Sequence, residues 1–225
     1  MADFPVEFSG DASAGDGRLD APAFQRNRAP IWAVLEGFLR GKSGDVLEAG
    51  SGTGQHVVHF AREAPGITWW PSDFTAENLK SILAWRAHAG LANIRKPLAI
   101  DLSDPTWCDE MTDGRGPPKL LAVFCANVIH IAPWRAAEGL FAGAARHLRG
   151  DGRLYLYGPF KRGGHHTAIS NAVFDTHLRQ QDPEWGVRDI ADVEALAARY
   201  GFVLGETHEM PRNNLMLVFS RSSAR

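Results

Sequence analysis

The stretch LEAGSGTGQH (Leu47–His56) sets glycines on three alternate positions, Gly50, Gly52 and Gly54. An apolar run, DVLEAG (45–50), leads into it, and a helically spaced run, QHVVHFAREA (55–64), leads out. Strand, glycine turn and helix in that order present a loop at the carboxyl end of a strand, where doubly wound sheets bind their ligands. Glycine admits positive φ and a close neighbour, so the spacing predicts a ligand lying against the loop. The dinucleotide fingerprint needs another glycine where Gln55 stands, and a Gly-x4-Gly-Lys-Ser/Thr loop is absent. The pattern is therefore G-x-G-x-G.

Working outward, strands and helices alternate. ITWWPSD (67–73) reads as a strand and TAENLKSILAWRAHAG (75–90) as a helix capped by Thr75 and stopped by Gly90, with Ile82 and Leu83 on its apolar side. RKPLAID (95–101) reads as an edge strand because of Pro97, and DPTWCDEM (104–111) as a short helix. KLLAVFCANVIHI (119–131) is apolar throughout, as a strand buried on both faces is. Then come a helix over 133–150, a strand over 153–160, helices over 167–181 and 189–201, and two closing strands, 202–210 and 214–221. Upstream, a helical pattern from Pro22 to Arg40 is expected to break at Pro30. The alternation predicts an α/β fold, a doubly wound, mostly parallel sheet with helices on both faces. Residues 1–20 read as a flexible arm and 21–225 as one domain.

Three carboxylates fall at successive strand ends. Glu48 precedes the loop, Asp73 ends the second strand and Asp101 the third. A carboxylate at Glu48 repels a pyrophosphate and suits an ammonium or sulfonium. Asp73 can accept both ribose hydroxyls, or cap the helix at Thr75; Asp101 can reach an adenine edge, or cap the segment after it. Together they suit a cationic adenosine ligand without phosphates, S-adenosylmethionine (SAM).

VLEAGSGTGQH, PSD, AID and FCANVIHI resemble motifs I to IV of class I SAM-dependent methyltransferases. APAFQRNRAPI, SGTGQHVVHFA, GLFAGAARHL, LYLYGPFKRGGHHTAISNAVFD and MPRNNLMLVF resemble, more specifically, the DUF938 (methyltransferase-like protein 26) family, over residues 21 to 219. The resemblance implies a Rossmann-like seven-stranded sheet with an antiparallel last strand. It also implies that Gly50, Gly52 and Gly54 face the methionine part of SAM and Glu48 its amino group. Asp73 would meet the ribose, Asp101 and Leu102 the adenine, and Asn127 the pocket under the sulfonium. In QRNR (25–28), either Asn27 or Arg28 closes over the SAM carboxylate, or the segment is a solvated helix end.

The acceptor pocket is expected from 127–134 and 157–171. His130 is a candidate base or a packed histidine. Tyr157 is a candidate hydrogen-bond donor or a sheet residue. Lys161, with Arg162, either attracts an acidic acceptor or lies in a solvated loop. His165 and His166 are adjacent, so in an extended segment they point apart, and neither HExxH nor a CxxC partner is present; no metal is expected.

The 225 residues are 44% hydrophobic and 22% charged, with a formal charge of −2, which suits one globular domain and gives no overall field for nucleic acid or membrane. The two cysteines, Cys108 and Cys125, argue against a disulfide framework. The acidic, Gly-rich start lacks a signal-peptide pattern, so a cytoplasmic protein is expected, with the oligomeric state open. The leading expectation is a methyltransferase acting on a small molecule. A SAM-binding regulatory protein without catalysis and a protein or RNA methyltransferase stand as alternatives; no Asn-Pro-Pro-Tyr-type motif follows the fourth strand.

Overall fold

The computed structural model describes residues 11–13, 15–104, 106–107 and 119–222. A short antiparallel pair, β1 (Asp11–Ser13) and β2 (Arg18–Asp20), precedes α1 (Pro22–Leu39). Next come β3 (Gly44–Ala49), α2 (Gln55–Glu63), β4 (Ile67–Asp73), α3 (Ala76–Ala89), β5 (Leu98–Ala99) and β6 (Leu120–Ala126). They are followed by α4 (Trp134–His147), β7 (Leu148–Gly158), the two-residue strands β8 (Lys161–Arg162) and β9 (His165–His166), and α5 (Ile169–Gln181). The chain closes with α6 (Ile190–Arg199), β10 (Phe202–Met210) and β11 (Asn214–Arg221).

Seven strands form one sheet in the order β10-β11-β7-β6-β3-β4-β5. Pairing is parallel from β7 through β6, β3 and β4 to β5, and β11 runs antiparallel to both β7 and β10. This is the expected doubly wound arrangement with a reversed last strand. Side chains alternate between two cores, as a pleat requires. Leu154, Leu156, Leu215, Leu217 and Phe219 join one with Leu140 and Phe141 of α4 and Val193 and Leu196 of α6. Tyr155, Tyr157, Met216 and Val218 join the other with Ile31, Leu35 and Leu39 of α1 and Val57, Val58 and Phe60 of α2.

Several local expectations change. Pro30 lies inside α1 rather than ending it. Its ring removes the bond to the carbonyl of Arg26, a residue on the exposed side where water can satisfy it. Asn27, Ile31, Leu35 and Leu39, spaced four apart, are buried along one stripe that keeps the helix continuous. β5 is only Leu98–Ala99. The ladder does begin earlier, with Arg95 N–H donating to Trp69 O at 2.8 Å, and it resumes only after Pro97, which has no N–H to donate. Leu83 is 45% exposed while its neighbour Ile82 is fully buried, because one turn of helix cannot bury both against the same face. Of the segment read as an arm, Arg18–Asp20 forms a strand and Leu19 is buried. The short helix expected over 104–111, with Cys108, falls mostly outside the described residues. Among the described residues, no helix is long and apolar enough to cross a membrane.

Candidate cofactor and acceptor site

The carboxyl ends of β5, β4, β3, β6 and β7 lie side by side, and the glycine loop sits among them. All three glycines have positive φ: 76° at Gly50, 55° at Gly52 and 90° at Gly54. Their surroundings differ. A Cβ on Gly50 would fall 2.2 Å from Val128 Cγ2, and one on Gly54 would fall 2.9 Å from the Ile82 backbone. A Cβ on Gly52 would meet nothing within 4 Å. The outer two glycines are therefore demanded by the protein's own packing as well as by φ. Of the three, only Gly52 has open space where a Cβ would sit.

Glu48 is 2% exposed, and its Oε2 has no hydrogen-bond partner among the described residues. Burial, reinforced by the nearby Asp73 charge, pushes its carboxyl up to about 8. Asp73 is also buried and is already occupied. Its Oδ2 accepts the Gly52 N–H at 2.9 Å. Its Oδ1 accepts from the Thr75 N–H at 3.0 Å, the Thr75 hydroxyl at 3.3 Å and Asn78 Nδ2 at 3.0 Å. A carboxylate offers about four acceptor positions, so Oδ1 is full and Oδ2 keeps one. Asp73 therefore serves the start of α3 and the loop together, although Thr75 is the cap itself, its hydroxyl accepting from Asn78 N–H. Its Oδ2 has the Gly52 N–H as its one donor among the described residues.

Asp101 is exposed, and its Oδ1 accepts the Ser103 N–H at 2.8 Å. It follows Ile100, whose N–H donates to Asp73 O at 3.0 Å, so the two strand ends adjoin. Leu102 is 6% exposed and its carbonyl lies where a Cβ on Gly139 would be. Asn127 takes a left-handed conformation, φ 62°, with its N–H on Tyr157 O at 2.8 Å. Asn27 is buried with Oδ1 unpartnered among the described residues, and the Arg28 guanidinium rests 5.4 Å from the Phe24 ring centroid.

The acceptor-side candidates are more enclosed than the sequence suggests. His130 is fully buried against Phe160, ring centroids 4.9 Å apart. Its Nδ1 accepts the Arg188 N–H at 3.4 Å, which leaves the proton on Nε2, and Nε2 is buried without a partner. Burial, with the Arg188 charge, pulls its pKa down to about 3. The Tyr157 hydroxyl accepts from Asn214 Nδ2 at 2.9 Å, and burial raises it to about 12. Lys161 Nζ lies 2.9 Å from Asp175 Oδ2, an oxygen it shares with His166 Nε2 at 3.3 Å. His165 is exposed and His166 half-buried, as neighbours in a strand are. Phe160 belongs to the core and Trp134 to its edge. Among the described residues, no group of three or more His, Cys, Asp or Glu is placed to hold a metal ion.

Two fastenings were not legible. Gln55, read only as a missing glycine, accepts the Ala21 N–H at 2.8 Å and donates to Asp20 Oδ1. Ser81 accepts the Leu19 N–H at 2.9 Å and donates to Thr53 O at 2.7 Å, while Trp85 Nε1 donates to Leu19 O at 2.8 Å. Together they strap β2 across the loop. Arg188 donates to Ile129 O at 2.9 Å and to Ala132 O and Glu184 O at 2.8 Å, clamping the segment after β6. Partners so far apart in sequence leave no local signal.

The sheet order, the reversed last strand and the loop after the first central strand define a Rossmann-like fold of the methyltransferase type. Among solved structures, the chain is similar to an O-methyltransferase family protein from Burkholderia thailandensis, with TM-score 0.71 and 16% identity over 88% of this chain and 57% of that one. It is similar to the S-adenosylmethionine-dependent methyltransferase SibL in its apo form, with TM-score 0.67 and 21% identity over 89% and 56%. CalO1, a methyltransferase in calicheamicin biosynthesis in its SAH-bound form, gives TM-score 0.62 and 16% identity over 86% and 55%. The chain thus spans little more than half the length of these proteins. It belongs to the DUF938 family, described as a protein of unknown function, whose model matches residues 18–221.

Proposed function

We propose that the protein is a SAM-dependent methyltransferase acting on a small-molecule acceptor. The observation that carries this reading is the buried Glu48 carboxyl with an unpartnered oxygen, two residues before a loop in which Gly52 opens onto space. A buried acceptor without a partner is costly, and an ammonium arriving with a ligand supplies both the donor and the balancing charge. When bound, SAM supplies a methyl group already activated on a sulfonium, so the chain's own tasks are binding, alignment and exclusion of water. In this reading Gly50, Gly52 and Gly54 border the methionine part and Glu48 takes the ammonium. Asp73 Oδ2 takes one ribose hydroxyl, Asp101 and Leu102 flank the adenine, and Asn127 lies beneath the sulfonium. Asn27 and Arg28 attend the carboxylate. The reading requires no metal and no membrane or nucleic-acid partner, and it suits the cytoplasm.

His130, Tyr157 and Lys161 surround the acceptor side as positioning groups. A histidine held near 3 and a phenol near 12 are poor bases at neutral pH, and Lys161 is paired. The acceptor is accordingly a group that is nucleophilic without help. The same observation favours, as second reading, a SAM-binding protein with no catalytic role.

Calorimetry with S-adenosylhomocysteine tests the first step. Micromolar binding is expected; none below about millimolar, worth only about −4 kcal/mol, removes the cofactor. Asp73→Asn, which keeps the shape of the side chain, is expected to weaken that binding about tenfold, the effect of about 1.4 kcal/mol. Isotope-labelled SAM with metabolite extract separates the two readings, since a labelled product requires catalysis.

A further inference from the structure

Beyond the cofactor loop, three elements meet around the Tyr157 hydroxyl. The turn Pro211–Asn213 holds two consecutive non-glycine residues at positive φ, Arg212 at 62° and Asn213 at 60°. Each such residue costs of order 1 kcal/mol or more and persists only where its surroundings impose it. Here they are imposed from two sides. Asn213 O accepts Asn171 Nδ2 at 2.9 Å and Asn213 Nδ2 donates to Ser170 Oγ at 3.2 Å, which ties the turn to the start of α5. Asn214 Nδ2 donates to Pro211 O at 3.1 Å and to the Tyr157 hydroxyl at 2.9 Å. Because that hydroxyl is accepting, its own proton is left over, and among the described residues it donates to none.

The exposed Arg26 stands on α1, which packs against the Pro211–Asn213 turn, and its charge acts on Tyr157. Neither Arg26 nor Arg212 forms an ion pair among the described residues, and the acidic neighbour Glu209 is held 2.9 Å from Arg162. Next to the strapped turn, α5 shows two large apolar side chains to solvent one helical turn apart, Ile169 at 86% and Val173 at 55%. A left-over hydroxyl proton, unpaired cations and a bare apolar flank all lie at the carboxyl end of β7.

We propose that this rim is the acceptor-recognition site and that it selects acceptors carrying an anionic oxygen. The charge would be met by Arg26 and the Tyr157 hydroxyl, and an apolar body would lie against Ile169 and Val173. The inference rests on the methyltransferase reading for the word acceptor, while the anion site rests on the Asn214–Tyr157 bond and the packing of α1 against the turn. Asn214 is a positioning residue, because it fixes which way the phenol proton points.

The test uses benzoate and its neutral counterpart benzamide, titrated calorimetrically into the full chain with and without S-adenosylhomocysteine. Benzoate is expected to bind about tenfold more tightly than benzamide, the effect of one charge-assisted contact. Arg26→Ala, a change at an exposed position, removes that preference and leaves S-adenosylhomocysteine affinity unchanged. Tyr157→Phe reduces the preference severalfold. Equal binding of the two probes, binding of neither, or a preference that survives in both variants overturns the proposal. Loss of S-adenosylhomocysteine binding with the benzoate preference intact would instead overturn the methyltransferase reading alone.

Discussion

Glu48 makes folding depend on pH in a direction unusual for a carboxylate. Its pKa is raised from 4.5 to about 8 in the folded chain, so the folded chain keeps a proton that the unfolded chain has released. The stability this represents is fully present below about 4.5 and is lost as pH rises through about 8. Glu48→Gln is expected to flatten the decline of Tm across that window. An ammonium docking beside the carboxyl would ionise it, so S-adenosylhomocysteine should release most of a proton near neutral pH in the native chain and none in the variant. Calorimetry in buffers of different ionisation heat measures this. The glycines give a second contrast at the same scale. Gly50→Ala drives a methyl into Val128 and is expected to cost about 2–4 kcal/mol from overpacking and positive φ together. Gly52→Ala should cost only about 1 kcal/mol while weakening the ligand more than Gly50→Ala does at equal foldedness. Urea midpoints give the first pair of values and calorimetry the second. Gly50, Gly52 and Gly54 were legible as a loop because their spacing is local. That two of them answer to Val128 and Ile82 was not, since those contacts come from other elements.

Among the elements, the regular ones were legible and the short ones were not. Hydrophobic period and caps marked α3 between Thr75 and Gly90, and the continuous apolar run marked β6. β2 carries no period in three residues, and its bonds reach Gln55, Ser81 and Trp85. α1 outlived Pro30 because its buried stripe outweighs one lost backbone bond. Ser81→Ala tests the β2 strap. It removes a fully buried hydroxyl that serves both Leu19 N–H and Thr53 O, and leaving such groups unmet costs about 1–3 kcal/mol. Faster proteolysis near residue 20 and a lower urea midpoint are expected, and unchanged values would show that the bonds to Trp85 and Gln55 hold the strap without Ser81.

Taken whole, the molecule sets one buried histidine, His130, and one half-buried histidine, His56, against the buried carboxyl. His130 and His56 are held down at about 3 and about 4 against 6.5. The unfolded chain therefore takes up protons that the folded chain refuses, and the stability present above about 6.5 is lost as pH falls toward those values. Glu48 works the other way but is one group against two, so stability should peak near pH 6.5 and fall on the acid side. His130→Asn should shallow the acid arm, as read from Tm against pH. The sheet order was legible in the alternation of elements and in the resemblance. At the β7 rim the stretch 157–171 was legible as a candidate, but the meeting of Tyr157, Asn171 and Asn214 was not, because they come from separate segments and no spacing in the sequence records that convergence.

β11 runs against its neighbours, and so the chain must turn at Pro211–Asn213 on the same end of the sheet as the glycine loop. A parallel final strand would have put that turn at the opposite pole. The reversal divides the rim into two kinds of territory: a fixed half, where the loop is wedged between Val128 and Ile82, and a hairpin tip whose length the core does not dictate. Residues inserted between Arg212 and Asn213 would redraw the outline of whatever docks there while leaving the glycine loop in its setting.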